Sequence, residues 1–200
     1  SKVLDIDEQY RPDIKLEELA RLKPIFGNPT CTAGNAPGMN DGATAQILMK
    51  RSKAESMGLD ILYTIVAMSS IALQPRIMPV SPGFAIKRCL NTAGLGIDDM
   101  KYIEINEAFA CVPLVSTKLL SNPRFISSDY NQMVQEASNN PILDHDPGKY
   151  LELKNKLNVN GSAIAVGHAN TASGARLMMT AAYNLRKNGG GFAACAICGG

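Results

Sequence analysis

Three residues of this chain carry side chains suited to proton transfer and oxyanion binding: Asn106, His168 and Cys198. His168 is one of only two histidines. It lies in Asn160-Gly161-Ser162-Ala163-Ile164-Ala165-Val166-Gly167-His168-Ala169-Asn170-Thr171-Ala172-Ser173-Gly174-Ala175-Arg176, where a short apolar run with glycine on both sides delivers the imidazole to a turn. Asn-Gly and Gly-His are turn signals, and the surrounding small residues let something flat or long approach the backbone. A buried histidine in a tight turn would leave the same local signature. The other two stretches shift the balance. Glu104-Ile105-Asn106-Glu107-Ala108-Phe109-Ala110 supplies an amide, and Cys198-Gly199-Gly200 supplies a thiol. Amide, imidazole and thiol each fall at the end of a predicted strand, where open α/β sheets place their chemistry.

The elements that must position them follow from periodicity and punctuation. Tyr102–Ile105 reads as the strand leading to Asn106, and Glu107–Leu120 as the next helix. Asn106 is then expected beside the helix's N-terminal amides, where the dipole and free N–H groups favour an anion or oxyanion. Leu157–Val159 reads as a short strand into the histidine turn. Thr171 or Ser173 can cap a helix over 172–187, and Phe192–Ile197 is a strand that delivers Cys198. Earlier in the chain, 16–22 is a short helix ended by Pro24. Pro29–Asn40 is a loop studded with small residues, read either as a surface turn or as a loop hugging a ligand. Asn40 or Asp41 can cap a helix to Met57, with Gly58 as its stop. Ile61–Leu73 reads as a long buried strand. Pro82–Ala93 is a helix stopped by Gly94. The order predicts a layered α/β fold with a mixed sheet.

Ser121–Pro147 breaks this rhythm with Asn122-Pro123, Asn139-Asn140-Pro141 and Asp146-Pro147-Gly148. It is too long for an ordinary connection and reads as an insertion or lid. Tyr130–Ala137 is the one element suggested within it, and His145, between Asp144 and Asp146, reads as a solvated histidine.

Two hundred residues, 46% hydrophobic and 19% charged, suit one domain or a large half of a longer protein. A net charge of +2 is too small to argue for nucleic acid or an anionic membrane. Trp is absent and aromatics are few, so no stacking platform for bases is expected. No apolar run approaches the roughly 20 residues of a membrane span, and no basic, apolar-cored signal peptide opens the chain. The five cysteines (Cys31, Cys89, Cys111, Cys195, Cys198) are odd in number and form no zinc ribbon. Cys195 and Cys198 make a C-x-x-C late in a strand rather than at a helix start, which disfavours a redox or metal role. A reducing, cytoplasmic compartment is expected. The chain opens on Ser1-Lys2 and stops at a Gly199-Gly200 turn, so a piece of a longer polypeptide is expected.

Four ordered motifs resemble the C-terminal half of the thiolases, the acyl-CoA C-acyltransferases. Thr32-Ala33-Gly34-Asn35-Ala36-x-Gly38-x-Asn40-Asp41-Gly42-Ala43 is similar to the family's loop before its C-terminal domain. Glu104–Ala110 matches its N-E-A-F motif, 158–176 its G-H-P region, and Cys198-Gly199-Gly200 its C-x-G motif. The match covers most of the chain outside an insertion at about 117–156. It implies a preceding N-terminal region over 1–26 and the C-terminal domain over 27–200. The implied fold is a layered α-β-α half, normally part of a five-layered α-β-α-β-α assembly of two similar halves.

The resemblance also implies a reaction: acetyl transfer between coenzyme A thioesters, by Claisen condensation or its thiolytic reverse. His168 would activate a nucleophilic cysteine. None of the five cysteines matches that nucleophile, so the chain alone is expected to be inactive. Asn106 would help build an oxyanion hole, Cys198 would be the second acid/base, and the Gly200 N–H would serve a second oxyanion hole. Ala108 and Phe109 would line the acyl pocket, and Ala36, Pro37, Gly38 and Met39 would lie along the pantetheine arm. Acyl-CoA and CoA are the implied ligands, with no covalently bound cofactor and no metal. The implied partners are the missing N-terminal half and, in the full-length protein, further copies as a homodimer or homotetramer, with no nucleic acid and no membrane. Ala169 replaces the family's usual proline, and Pro37 a common serine, which removes a hydroxyl and an N–H. Cys195 is extra and reads as a buried structural thiol. A ketoacyl synthase, a lipid-carrier-type thiolase relative and a non-catalytic acyl-CoA-binding subunit are the competing readings. The intact N-E-A-F motif disfavours the lipid-carrier type.

Overall fold

The computed structural model describes residues 3, 5–7, 9–127, 131–132, 134–135 and 144–199. Its helices include α1 (Leu16–Leu19), α2 (Arg51–Ser56), α3 (Ser81–Ala93), α4 (Cys111–Leu120), α5 (Pro123–Ser127), α6 (Pro147–Lys156), α7 (Ala163–Val166) and α8 (Ser173–Lys187). The strands are β1 (Met100–Ile105) and β2 (Phe192–Ala196). They pair in parallel, with Ile103 opposite Ala194 and Glu104 opposite Cys195.

β1 alternates, and the two sides of the strand have different tasks. Ile103 and Ile105 join the core with Phe84 and Leu90 of α3, Val112 and Leu119 of α4, Phe125 of α5 and Leu153 of α6. Phe84 and Phe125 meet edge to face, with centroids 4.9 Å apart. Glu104 and Asn106 point the other way, and Arg176 of α8 meets Asn106 there. Helix α8 buries Leu177, Ala181 and Ala182 while its basic end is exposed. The result is α/β layering, with one helix over the polar side of β1 and a helix cluster over its apolar side.

α3 begins with Pro82 in its first turn and ends at Gly94, whose φ of 67° is left-handed, as that residue type requires. α6 begins at Asp146, whose Oδ1 accepts from the Lys149 N–H at 2.8 Å. Pro147 follows at the first helical position, where its missing N–H costs nothing. His145 packs edge to face on Tyr150 of the same helix, centroids 5.4 Å apart. Most of the suggested Tyr130–Ala137 element lies outside the described residues, although 131–132 and 134–135 are helical.

Several expected elements form differently. The sheet, expected to be mixed, has two parallel strands among the described residues. Ile61–Leu73 forms no ladder. Its side chains are held individually instead, Tyr63 by Gln46 and Ser69 by the Ala85 carbonyl. The helix expected from residue 40 begins only at Arg51. Leu157–Val159 makes a single bridge, Ile103 to Leu157. There the Asn158 carboxamide takes over from the backbone. It accepts from the Ile105 N–H at 2.9 Å and donates to the Ile105 carbonyl at 2.8 Å. Asn158 adopts a φ of 44°, which asparagine tolerates better than most residues. A side chain thus completes the edge of β1, and a third strand is cut short. Cys195, expected to be buried, is exposed.

Candidate functional site

The site is built where β1 ends. The Asn106 N–H donates to the Ala196 carbonyl at 3.0 Å, carrying the β1–β2 ladder one residue further. The Asn106 side chain is fully buried. Arg176 Nη2 donates to Asn106 Oδ1 at 3.3 Å and to Ser162 Oγ at 3.4 Å.

These contacts set the direction of a polar chain. A guanidinium only donates, so the Asn106 carbonyl must face Arg176. The amide Nδ2 then faces His168 Nε2 at 3.5 Å. An amide nitrogen is a donor, so Nε2 is the acceptor and carries no proton. The ring proton sits on Nδ1, 2.8 Å from Ser173 Oγ. Ser173 Oγ in turn donates to the Ala169 carbonyl at 3.3 Å. At 3.5 Å the Asn106–His168 contact is weak, so the Nε2 lone pair stays available. Burial first, and the Arg176 charge second, hold the His168 pKa below its ordinary value. The imidazole is therefore neutral at pH 7, as a base must be.

The backbone around His168 is clamped. Met39 and His168 form a parallel bridge. The His168 N–H is shared between the Gly38 carbonyl at 3.3 Å and Asn40 Oδ1 at 3.2 Å. Gly167 has a φ of 89°, and a Cβ there would stand 2.7 Å from Asn40 Oδ1. Only glycine fits this close approach. Glu107 ties the histidine turn to the end of β1, since its Oε2 accepts from the Ile164 N–H at 3.0 Å.

Three local expectations are corrected here. Asn40, read as a helix cap, spends its carboxamide on His168. Ser173, read as a cap, opens α8 as its first residue while Ala172 takes the cap position, and its hydroxyl serves the imidazole. Asn106 does not sit beside helix amides, because α4 starts at Cys111. The intervening backbone is committed elsewhere: the Ala110 N–H donates to the Asn35 carbonyl at 2.9 Å. That bond also ties the small-residue loop to the segment of Ala108 and Phe109. Both of those residues are half-buried against the core, and Phe109 meets Phe26 edge to face at 6.2 Å. In the loop, Ala36, Pro37 and Gly38 are half-buried, and Met39 is fully exposed.

Cys198 lies two residues beyond β2, half-buried against the core. Burial pushes its thiol pKa up, its backbone N–H opposes this, and Cys111 adds to it. Gly200 lies outside the described residues. The structure therefore brings Asn106, His168 and the 38–40 loop together, and no hydrogen bond joins Cys198 to them among the described residues. Arg176, Ser162 and Asn40 belong to the same site, and none of them has a part in the chemistry expected from the sequence. The sequence signal for them is only their place within motifs already noticed. Among the described residues no group of His, Cys, Asp or Glu could hold a metal ion. No described helix is long and apolar enough to cross a membrane.

This fold and site define an α/β protein with an imidazole–amide pair at a strand end. Residues 59–200 match the family model for the thiolase C-terminal domain, and residues 1–52 match the one for the thiolase N-terminal domain. The chain belongs to the thiolase family. It is 38% identical over 199 residues to a beta-ketoadipyl-CoA thiolase of Pseudomonas knackmussii, covering 99% of this chain and 43% of that protein. A probable acetyl-CoA acetyltransferase of Mycolicibacterium smegmatis is 39% identical over 194 residues, covering 96% and 42%. The human mitochondrial 3-ketoacyl-CoA thiolase, solved in complex with CoA, superposes with a TM-score of 0.73 at 34% identity, covering 98% and 42%. The chain thus spans less than half the length of the relatives it matches.

Proposed function

We propose that this chain supplies the His–Asn and second-cysteine part of an acyl-CoA C-acyltransferase site. The observation that carries this is the directed chain Arg176–Asn106–His168–Ser173, which leaves an amide donor and an unprotonated Nε2 side by side. The family membership and the printed names of the relatives support coenzyme A thioesters as substrates.

In thiolysis, His168 Nε2 takes the proton of a nucleophilic cysteine contributed from outside this chain. The thiolate attacks the 3-keto carbon, and the Asn106 amide stabilises the oxyanion. As the oxyanion collapses, the bond between the keto carbon and the α-carbon breaks. The electron pair leaves on the α-carbon, which takes a proton from Cys198. The raised pKa of Cys198 keeps it a protonated thiol at pH 7, the form this step requires. The Cys198 thiolate then deprotonates CoA, whose sulfur attacks the acyl-enzyme and regenerates the cysteine. Condensation runs the same steps backwards. Ala108 and Phe109 line the acyl group, residues 36–39 follow the pantetheine arm, and the Gly200 N–H serves the second oxyanion. We place the active protein in the cytoplasm as a homo-oligomer with the other thiolase half.

The test is thiolysis of acetoacetyl-CoA and of 3-oxoadipyl-CoA by the full-length polypeptide. Turnover is expected to vanish with His168→Ala or Cys198→Ala. Asn106→Ala is expected to cost about 10²–10³ in kcat, the usual loss for one oxyanion donor. Binding of CoA thioester without turnover in the unaltered protein would leave the non-catalytic reading instead.

A further inference from the structure

The polar side of β1 holds a charged group that the steps above do not use. Glu104 is fully buried, and among the described residues neither carboxylate oxygen has a hydrogen-bond partner. A carboxylate left this way in a folded interior calls for an explanation. The groups facing it are Arg176 from α8 and Glu107 just beyond β1, with Cys195 opposite it on β2. Arg176 is the one cation among them. Among the described residues its Nε is also buried without a partner, while its Nη2 is occupied by Asn106 and Ser162. The guanidinium thus donates to the Asn106 carbonyl while lying within the electrostatic reach of the Glu104 carboxylate.

We infer that Arg176 is a positioning residue for the thiolase reaction, with Glu104 as its buried counter-charge. Together they lock the Asn106 amide with its NH₂ toward His168, which keeps His168 in the Nδ1–H form. The step in the inference is one of donors and acceptors. Without Arg176, either end of the Asn106 amide can face the ring. If the carbonyl turns to His168, Nε2 must carry the proton, and the lone pair that takes a proton from a thiol is lost. Arg176 therefore acts through Asn106 on the ring's tautomer and touches no reacting atom. Glu104 acts one step further back, by keeping the guanidinium in place once it is ionised. Burial raises the Glu104 pKa to about 7, against the opposing pull of Arg176 and with a smaller push from Glu107, so its hold on Arg176 strengthens above neutral pH.

The inference rests on the function proposed above, but its primary readout does not need turnover. Ring-¹⁵N NMR of the full-length polypeptide reads His168 once its signal is assigned by its loss in His168→Ala, and His145, the other histidine of this chain, serves as a control. At pH 8 the His168 ring is expected as the Nδ1–H tautomer. In Arg176→Met it should shift toward the Nε2–H form, with kcat down about ten-fold and KM changed less than about two-fold. Arg176→Lys, which restores a charge and a donor, should recover most of the Nδ1–H signal. Glu104→Gln should show a smaller shift of the same sign at pH 8, where wild-type Glu104 is ionised and His168 is neutral. A wild-type tautomer in Arg176→Met overturns the role of Arg176. If that variant does not fold, Arg176→Lys and Glu104→Gln carry the test. A wild-type tautomer in Glu104→Gln at pH 8 overturns the counter-charge. A shifted tautomer in a protein that never turns over acyl-CoA would sink the proposed function and leave the positioning pair standing.

Discussion

Residues 100–105 and residues 61–73 carry similar strand signals and end in different states. Met100–Ile105 is laddered to β2 and packs on four helices' side chains. Ile61–Leu73 is longer and just as apolar, yet forms no ladder. Its burial alternates from Ala67 to Leu73, as on a strand, with Met68, Ser70 and Ala72 exposed. Ile47 is 89% exposed and Met68 77% exposed, with Leu48, Leu59 and Val66 also exposed nearby. The difference teaches that an apolar alternating run sets a preference, whereas a strand needs a neighbour for its N–H and C=O groups.

The largest expected effect separates the two regions by stability. Phe84→Ala empties a fully buried site and should cost about 3–5 kcal/mol in denaturant unfolding. Met68→Ser, at a 77% exposed position, should stay within about 0.5 kcal/mol. Equal losses would break the contrast. Hydrogen exchange sharpens it further: amides of 102–105 should be protected, and those of 64–73 should exchange early.

The next effect belongs to Glu104. Its folded pKa of about 7 lies above the ordinary 4.5, so the folded state binds the proton more tightly. Stability from this group is complete below about pH 4.5 and is lost as pH rises through about 7. Glu104→Gln should therefore match wild type in thermal unfolding at pH 4 and exceed it at pH 8. No gain at pH 8 would mean that the carboxylate finds a partner in solution. His168 has the opposite sign. Its depressed pKa means that stability and the neutral base are both lost as pH falls below about 6.5.

Gly167→Ala follows, with a cost above about 1 kcal/mol expected from its positive φ and a further cost from the close Asn40 contact. The smallest effect is at the periphery. Asp98 pairs with Lys149 at the surface, and Asp98→Asn should cost no more than about 1 kcal/mol.

Much of the molecule was legible in residue order alone. Gly94 and Pro82 bracket α3 because left-handed φ and a missing N–H are local properties. β1, β2 and α8 follow from short-range apolar periodicity, and the functional motifs stand at their ends. His168 and Asn106 stood out in the sequence by residue type and place, and the fold brings them within 3.5 Å of each other. Tertiary structure decided what local pattern cannot encode. Asn40 and Ser173 look like helix caps in sequence, but each has a better acceptor or donor across the fold. Asn158 completes β1 with its side chain, so a predicted strand ends after one bridge. The side on which His168 carries its proton is set by Ser173 at one nitrogen and by Asn106 at the other, and the Asn106 amide is turned by Arg176 from another element. Periodicity acts over a few residues, whereas a hydrogen bond has a direction only once both of its partners are in place.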